Sequence, residues 1–534
     1  MKRRTSNIAA SVYVLLALVA CGGDGNGGGS TVAYTLGGTI SGLTGSGLVL
    51  GNNGADDLAV TANGAFKFAN PVPNDTAYSV TVLTQPSGPS QNCVISNGTD
   101  TGTISNADVT SVAVICNNVG RFAYVANAAS NNVSAYSINA ATGTLTPVPG
   151  SPFATAGADA FITLHPSGKF SYVADYNLSS ISAYAIDAST GALTELAGSP
   201  FAAGTNPANV TIDPSGKFAY AANQISGNIS AYTIDATTGT LSPVSGSPYP
   251  SGNYPSGVVI DPSGKFAYVT NYGIPMVGTW SGGSLSAYTI NASTGALTPV
   301  AGTPFAANCP CVFTIAPSGK FAYLATNSGG GVYVYSIDTN TGALTQTQSV
   351  AGRSGNCPGQ THEVVYSTCG VMITPNGKFA YVPSFDNTGN TVYAYTIGST
   401  TGALTAVAGS PYPIVGQDSL SVSFDPGGRF AYVLSPYYGT SSNEPGVVLA
   451  FTIDATTGAL TAITGSPFEA GVFPSYFTLD PSGKFAYAAE GTISNVSAYP
   501  IGGFAVDGMT GALATVPGSP FLAGMGPESL VVLN

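Results

Sequence analysis

The chain has 534 residues, of which 13 are Lys or Arg and 25 are Asp or Glu, so only 7% are charged and the net charge is −12. A typical soluble domain carries about 25% charged residues, and neutral polar side chains must therefore keep this protein in solution. Nucleic-acid binding is excluded because it needs clustered Lys and Arg. The two His residues exclude a three-His zinc site. We expect no metal and no cofactor.

The first thirty residues have the pattern of an export signal. Basic residues at positions 2–4 precede an apolar run from Ile8 to Ala20 that is too short to span a bilayer comfortably. The four residues ending at Cys21 (Leu-Val-Ala-Cys) resemble the lipobox of bacterial lipoproteins. The resemblance implies a signal peptide over residues 1–20, a lipid on Cys21 and a Gly-rich tether over residues 21–30. The alternative is an ordinary signal peptide with a chance Cys.

The same resemblance implies a location. Gly22 follows the Cys where an inner-membrane retention signal would typically place Asp. We therefore expect a cell-envelope protein that is lipid-anchored to the outer membrane, and that contacts the membrane through this anchor alone.

Residues 31–118 predict a small β-sandwich. Short Val, Thr, Tyr and Leu segments alternate with Gly, Asn and Pro turns, as in residues 78–83 and 109–114. Cys93 and Cys116 are the only cysteines of this segment. An exported domain of this size often needs a covalent link, so we expect a disulfide between them. No cluster of titratable residues is present, which suggests a spacer or adhesion module.

From residue 119 to the end, one unit of about fifty residues recurs. Gly followed by Lys or Arg and then Phe occurs eight times, at Gly120, Gly168, Gly216, Gly264, Gly319, Gly377, Gly428 and Gly483. Each unit contains four short strand patterns separated by Gly and Pro turns, which is the content of one propeller blade. We predict an all-β chain with an eight-bladed β-propeller, and seven blades as the alternative.

The two ends of the array predict how the ring closes. The first unit begins at Arg121 without an innermost strand before it, whereas residues 529–533 match an innermost strand with no blade after it. The last strand should therefore complete the first blade and remove two exposed sheet edges. We expect a monomer.

The repeat also resembles a known family. Segments such as Tyr268-Val269-Thr270-Asn271, followed by Val-Ser-Ala-Tyr and Thr-Gly-Ala-Leu-Thr, are similar to the YVTN-type repeats of lactonase-family β-propellers, the group that includes 6-phosphogluconolactonase. The resemblance covers residues 119–534. It implies the fold and the expectation of a lactone hydrolase, but these motifs build blades and carry no catalytic residues.

Strand alternation assigns the loops to two faces. Turns between first and second strands, and between third and fourth strands, share one face, and these repeat with little change as Asp-Pro-Ser-Gly and Asp-Ala-Thr-Thr-Gly. Their Asp side chains are expected to cap backbone N–H groups. His165 replaces one such Asp, so we interpret it as a turn residue.

Nearly all length variation falls on the opposite face, where function usually resides in repeat proteins. Its insertions carry Trp280, the only tryptophan, and the pair Tyr437 and Tyr438. Further candidates for ligand binding near the blade mouths are Tyr366, Asp159, Asp418 and Glu528.

The most irregular insertion runs from Gln346 to Cys369 and supplies the candidate catalytic residues. A lactonase needs a base to activate water and a positive group for the developing oxyanion. Arg353, His362 and Glu363 offer that combination close together. The four propeller cysteines Cys309, Cys311, Cys357 and Cys369 favour two disulfides in an exported protein, with three pairings open.

Two functions follow from these residues. The scarcity of titratable groups favours an envelope lipoprotein whose propeller is a binding or scaffold module for a protein or glycan. The family resemblance favours a hydrolase of a small lactone. Arg353 is the only propeller cation outside the repeated positions, and this argues against a phosphorylated substrate.

Overall fold

The structure is a computed structural model. It describes residues 32–87, 91–118, 121–157, 159–276, 279–307, 310–326, 331–351, 370–386, 389–415, 421–436, 445–490 and 499–533. Within these ranges the regular secondary structure is β-strand apart from one short 3₁₀ helix at Tyr176–Leu178.

The N-terminal part forms a β-sandwich, as predicted. Its strands are β1 (Ala33–Tyr34), β2 (Leu36–Ser41), β3 (Leu48–Asn52), β4 (Asp56–Val60), β5 (Gly64–Lys67), β6 (Val72–Pro73), β7 (Ala77–Thr84), β8 (Gln91–Ile95), β9 (Thr101–Thr103) and β10 (Val109–Asn118). One four-stranded sheet has the order β5-β2-β10-β8 and the other β4-β3-β7-β9. Their alternating apolar residues, among them Leu36, Leu48 and Val112, are fully buried in one core.

The predicted disulfide of the sandwich is confirmed. Cys93 in β8 and Cys116 in β10 are directly opposite each other in antiparallel register and are bonded. The bond closes a loop with a sequence separation of 23 residues, which constrains the unfolded chain by about 3 kcal/mol in the chain-entropy description.

The first four blades begin after the sandwich. Blade 1 contains β11 (Phe122–Asn127), β12 (Asn132–Ile138), β13 (Leu145–Pro147) and the short β14 (Phe153–Ala154). Blade 2 contains β15 (Asp159–Leu164), β16 (Phe170–Asp175), β17 (Ser180–Ile186), β18 (Leu193–Glu195) and β19 (Phe201–Ala202). Blade 3 contains β20 (Pro207–Ile212), β21 (Phe218–Asn223), β22 (Asn228–Ile234), β23 (Leu241–Pro243) and β24 (Tyr249–Pro250). Blade 4 contains β25 (Pro255–Ile260), β26 (Phe266–Asn271), the hairpin β27 (Ile274–Met276) and β28 (Thr279–Ser281), β29 (Ser284–Ile290), β30 (Leu297–Pro299) and β31 (Phe305–Ala306).

The remaining blades follow the same order. Blade 5 contains β32 (Pro310–Ile315), β33 (Phe321–Thr326), β34 (Gly331–Ile337) and β35 (Leu344–Ala351). Blade 6 contains β36 (Met372–Ile373), β37 (Phe379–Asp386), β38 (Gly389–Ile397), β39 (Leu404–Ala406) and β40 (Tyr412–Pro413). Blade 7 contains β41 (Ser421–Phe424), β42 (Phe430–Ser435), β43 (Val447–Ile453), β44 (Leu460–Ala462) and β45 (Phe468–Glu469). Blade 8 contains β46 (Pro474–Leu479), β47 (Phe485–Glu490), β48 (Tyr499–Val506), β49 (Leu513–Thr515) and β50 (Phe521–Ala523), and the last strand is β51 (Pro527–Leu533).

The propeller has eight blades, and its ring closes as predicted. β51 pairs antiparallel with β11, so the C-terminal strand is the innermost strand of blade 1. Eight apolar clusters each join two adjacent blades, and one of them joins blade 8 to blade 1 through Tyr487, Ala123 and Leu530. The innermost strands therefore surround a common axis.

A repeated hydrogen bond connects neighbouring blades. The second strand of each blade carries a buried Tyr whose hydroxyl donates to a Gly carbonyl in the third turn of the next blade. The pairs are Tyr124–Gly191, Tyr172–Gly239, Tyr220–Gly295, Tyr268–Gly342, Tyr323–Gly402, Tyr381–Gly458, Tyr432–Gly511 and Tyr487–Gly143. The Tyr487 bond measures 2.9 Å and closes the ring between blade 8 and blade 1.

The Gly in this pair is required by geometry. Gly143 has a φ of +75°, and a Cβ there would lie 2.4 Å from the ring of Phe485 in the preceding blade. At every blade interface the Tyr that follows the repeated Phe therefore binds the Gly of the Thr-Gly motif in the next blade. The motif that identifies the repeat in the sequence is the one that builds these interfaces.

The sandwich packs against the regular-turn face of the propeller at blades 7 and 8. Asn97 donates its backbone N–H to the carbonyl of Gly427 over 2.8 Å and its side-chain amide to Gly428 over 2.9 Å. Asn92 donates to the carbonyl of Ser482. The loop face, at the other end of the strands, therefore points away from the sandwich.

One departure from the repeat is explained by this packing. The third residue of the Asp-Pro-Ser-Gly turn, between the first and second strands, is Gly427 in blade 7. The same position is Ser in five other blades and Asn376 in blade 6. A Cβ at residue 427 would lie 3.1 Å from the carbonyl oxygen of Ile95. The absence of a side chain thus makes room for the sandwich.

Gly427→Ser is therefore expected to weaken the packing of the sandwich on blade 7. The added hydroxymethyl group displaces Ile95 and stretches the bond from Asn97 to residue 427. We expect the amide of Asn97 to exchange with solvent about tenfold faster, because roughly 1 kcal/mol of hydrogen bonding is lost. Ser263→Gly, in the equivalent turn of blade 4, is the matched control. Unchanged protection at Asn97 in the Gly427→Ser variant contradicts this explanation.

Candidate functional site

The loop face is formed by the loops between second and third strands and by the connectors that enter each innermost strand. Most of the predicted site residues on this face lie outside the described residues: Arg353, His362, Glu363, Tyr366, Asp418, Tyr437 and Tyr438. Cys21, Cys309, Cys357 and Cys369 also lie outside them. The predicted grouping of Arg353, His362 and Glu363 stays a prediction.

Four further predicted residues lie in described strands. Asp159 begins β15 directly opposite Asp175, Trp280 lies in β28 of the blade 4 hairpin, and Cys311 lies in β32. Glu528 is at the irregular start of β51, where the register against β11 shifts, and it is half-buried. These positions place Asp159, Trp280 and Glu528 at the loop-face end of their blades.

The residue five positions after the repeated Phe of each second strand forms a ring of polar side chains at the same end; it is the last residue of that strand except in blade 6, where β37 continues to Asp386. In chain order these are Asn127, Asp175, Asn223, Asn271, Thr326, Ser384, Ser435 and Glu490, and all are buried. In blades 1 to 4 the polar side chain is bound by a Ser of the third strand, at 2.9 to 3.0 Å. There the ring has a structural role, since these bonds connect the second and third strands of each blade, although Oδ1 of Asn127 and of Asn223 has no partner among the described residues.

Glu490 in blade 8 departs from this arrangement. The Ser that binds its counterparts, Ser134 in blade 1, is replaced by Gly502, which lies opposite Ala488 as Ser134 lies opposite Val125. Among the described residues, the carboxyl group therefore lacks the serine partner that its counterparts in blades 1 to 4 have. This position could have been found from the sequence, because aligning the eight repeats shows a single Glu at the end of the second strand.

The connector between blades 7 and 8 encloses the Glu490 carboxyl group. The residue is 6% exposed, and its Oε2 accepts a hydrogen bond of 3.0 Å from the backbone N–H of Val472. Gly471 has a φ of +83°, and a Cβ there would lie 1.9 Å from Oε1. A side chain at residue 471 is thus excluded by the carboxyl group.

Burial also sets the protonation state of this group. Loss of hydration raises the pKa of Glu490 to about 7, and the hydrogen bond from Val472 offsets only part of this shift. A carboxyl group with this pKa exchanges protons near neutral pH, which suits general acid–base chemistry.

A second group of side chains lies on blades 2 to 4. The hydroxyl of Tyr176 donates to Oε1 of Gln224 over 2.8 Å, and Asn206 forms a further side-chain hydrogen bond with Tyr176. Tyr254 is close enough to raise the pKa of Tyr176, although burial is the larger cause. We call Tyr176, Asn206, Gln224 and Tyr254 the blade 2–4 cluster.

The backbone of this cluster is held in an uncommon conformation. Asn206 and Tyr254 directly precede the innermost strands of blades 3 and 4 and have φ values of 57° and 53°. Their carbonyls accept hydrogen bonds from the backbone N–H groups of Gln224 and Tyr272. The equivalent residue before β51 is Gly526, also at positive φ. An aromatic residue in this region is strained by roughly 1–3 kcal/mol.

Charge is distributed unequally between the two faces. Eight of the 13 Lys and Arg residues occupy the repeated position before Phe: Arg121, Lys169, Lys217, Lys265, Lys320, Lys378, Arg429 and Lys484. These begin the second strands on the regular-turn face, and Arg121 and Lys484 bind turn carbonyls of the next blade. Among the described residues, the loop face contains no cation.

The loop face instead exposes apolar side chains. Leu178, Ile225, Ile274, Val415, Val472 and Met525 are all exposed there. Among the described residues, no group of three or more His, Cys, Asp or Glu side chains could hold a metal ion. Nor does a helix in the described part of the chain have the length and apolarity to cross a membrane.

Comparison with known proteins agrees with a β-propeller, although the matching family model describes seven blades and this structure has eight. A family model described as "Lactonase, 7-bladed beta-propeller" matches residues 113–251 and 246–358, which span blades 1 to 5. No curated protein matches the sequence.

Solved structures of other proteins are similar to this chain. The dihydro-heme d1 dehydrogenase NirN is 13% identical with a TM-score of 0.51, over 77% of this chain and 75% of that one. At this identity the likeness shows the fold alone. The periplasmic gluconolactonase PpgL of Pseudomonas aeruginosa is 16% identical with a TM-score of 0.49, over 77% of this chain and 99% of that one. A protein from Lactobacillus plantarum is 18% identical with a TM-score of 0.47, over 78% and 100% of the two chains.

Proposed function

We propose that the protein is a lactonase, as the family model matched over residues 113–358 suggests, and that it hydrolyses a neutral lactone at its loop face. The observation that carries the proposal is Glu490, a carboxyl group buried at that face whose pKa is raised to about 7 and which, among the described residues, lacks the serine partner found in blades 1 to 4. It supplies the base that lactone hydrolysis requires.

The chemistry assigned to Glu490 has two steps. In the first, the ionised carboxylate takes a proton from water as the water oxygen bonds to the lactone carbonyl carbon. In the second, the tetrahedral intermediate collapses, the ring C–O bond breaks, and the protonated Glu490 returns its proton to the departing alkoxide. Water is the only co-reactant, and the product is the hydroxy acid.

The remaining roles are assigned from the sequence. Arg353 is proposed to stabilise the oxyanion, with His362 and Glu363 on the same insertion as further members of the site. Asp159, Asp418, Glu528, Trp280, Tyr366, Tyr437 and Tyr438 are proposed to contact the ligand.

The charge distribution limits the substrate class. The described cations of the propeller lie on the regular-turn face, and Arg353 is the single propeller cation outside those positions. A phosphorylated lactone carries a dianion that needs several cationic partners. We therefore propose an unphosphorylated sugar lactone, and hydrolysis of glucono-δ-lactone by the purified chain is the first test. The variant that assigns the base is described in the Discussion.

A second candidate function is a binding or scaffold module for a protein or glycan. The six exposed apolar side chains of the loop face favour it, because such surfaces commonly mark interaction sites. Absence of turnover on a panel of sugar lactones, together with retention on a glycan array or by an envelope protein, would favour this candidate over hydrolysis.

We further propose that the chain is anchored in the outer membrane through a lipid on Cys21. The sandwich packs on the regular-turn face, so a tether before it leaves the loop face accessible. Cells grown with labelled palmitate should yield a labelled protein, and Cys21→Ser should remove the label. An unlabelled wild-type protein contradicts the anchor.

A further inference from the structure

The blade 2–4 cluster lies apart from Glu490 in the ring, because blade 1 separates blade 8 from blade 2. It combines phenol rings from Tyr176 and Tyr254 with side-chain amides from Asn206 and Gln224, drawn from three neighbouring blades. Two hydrogen-bonded side chains, Tyr176 and Gln224, come from equivalent positions in adjacent repeats.

The surrounding loops carry no cation. Residues 155–158, 176–179, 203–206, 224–227, 251–254 and 272–283 contain no Asp, Glu, Lys, Arg or His, and the two charged residues that flank these segments, Asp159 and Asp175, are acidic. An anionic ligand would lose its hydration here without gaining a counter-charge, which is costly. The surface therefore disfavours an anionic ligand.

The side chains present also require a ligand with both polar and apolar surfaces. Phenol rings offer an apolar face and a polar tip, and each amide group offers both donors and an acceptor. Leu178, Ile225 and Ile274 add exposed apolar surface on the same three blades. A saccharide matches this combination, since its C–H faces stack on rings while its hydroxyls pair with amides.

We infer that the blade 2–4 cluster is a binding site for a neutral saccharide, in which Tyr176 and Tyr254 stack on the sugar and Asn206 and Gln224 bind its hydroxyls. The site is independent of lactone hydrolysis and would serve either an enzyme or a binding module. It would hold a sugar chain at the loop face of blades 2 to 4.

The chain provides its own reporter for this site. Trp280 is the only tryptophan and lies in the blade 4 hairpin between the second and third strands. Titration of the full chain with cellobiose, maltose and N,N′-diacetylchitobiose should give a saturable change in tryptophan fluorescence with at least one of them. Glucuronate, a charged sugar, should give none.

Paired variants test the residue assignment. Tyr176→Ala and Gln224→Leu should each weaken saccharide binding at least tenfold. Tyr412→Ala, on the outer strand β40 of blade 6, is the matched control and should leave affinity unchanged. Calorimetric titration gives the affinities, and circular dichroism melting establishes that each variant is folded.

The outcomes separate this inference from the proposed function. Glu490→Gln should abolish hydrolysis while saccharide binding persists. Failure of the wild-type chain to bind any of the three saccharides, or unchanged binding in folded Tyr176→Ala and Gln224→Leu variants, overturns the saccharide site. Neither result bears on whether a lactone is hydrolysed.

Discussion

Replacing Glu490 by Gln should lower kcat for hydrolysis of a neutral sugar lactone by about 10²-fold or more, the typical contribution of a general base. Gln keeps the size of the side chain and its ability to accept a hydrogen bond from Val472, but it cannot take a proton from water. KM should change little, because the carboxyl group is proposed to act in the transition state. Steady-state kinetics of both proteins measures the effect.

A matched control distinguishes an effect specific to Glu490 from the effect of removing any one negative charge. Glu195→Gln removes an exposed carboxyl group from β18 at the outer edge of blade 2 and should leave kcat unchanged. If Glu490→Gln hydrolyses the lactone at the wild-type rate while Arg353→Ala or His362→Ala does not, the base lies on the 346–369 insertion and the assignment of Glu490 is wrong.

The pH dependence of the stability of Glu490→Gln distinguishes a catalytic role of this residue from a structural one. The pKa of Glu490 in the folded state, about 7, lies above its usual value of 4.5, so the folded state favours the protonated form. The wild-type protein is therefore fully stabilised by this group below pH 4.5, and that contribution is lost as the pH rises to about 7. Glu490→Gln should be more stable than wild type at pH 8, measured by thermal melting. A less stable variant would indicate a structural role.

Deleting residues 527–534 should abolish cooperative folding of the propeller. These residues include β51, the innermost strand of blade 1, and its side chains pack in the clusters that join blade 1 to blades 8 and 2. Without the strand, blade 1 retains only its outer strands and the edge of β11 is left unpaired. Thermal melting should show a broad, non-cooperative transition or no soluble protein.

A point substitution in β51 tests closure of the ring even if the truncated chain fails to fold. Leu530 is 1% exposed within β51, so Leu530→Ala should cost about 2–5 kcal/mol. Leu522, at 70% exposure on β50, is the matched control, and Leu522→Ala should change stability by less than about 0.5 kcal/mol. Equal destabilisation of the two variants contradicts closure by the C-terminal strand.

Much of the fold could be predicted from the sequence because the repeat motifs are themselves the contacts between blades. The Phe-Ala-Tyr and Thr-Gly segments supply both the pattern and the bonds, such as Tyr487 to Gly143. Blade number and closure follow from counting copies and comparing the ends. The disulfide between Cys93 and Cys116 followed from cysteine number and export.

Features that depend on contacts between distant segments were not predictable. The packing of the sandwich on blade 7 rests on Asn97 and Gly427, which are far apart in sequence. The short strands that pair with the third strand, such as β14, arise within the Gly-Ser-Pro-Phe connector, where two residues give no periodic signal.

The candidate site was predicted less completely than the fold. Length variation predicts that function lies on the loop face, and it points to the insertions. It does not point to Glu490, which ends a regular strand at a position that is structural in blades 1 to 4. Nor does it point to the blade 2–4 cluster, because Tyr176, Gln224 and Tyr254 come together only when the ring places three blades side by side.

The dependence of lactone hydrolysis on pH tests the central claim most directly. With glucono-δ-lactone and the purified full chain, corrected for spontaneous hydrolysis, kcat/KM should rise with pH through a single ionisation near pH 7, the pKa of Glu490. The rise should be absent in Glu490→Gln. Hydrolysis no faster than the spontaneous rate, or a rate that passes through pH 7 unchanged in the wild-type protein, contradicts the proposed function.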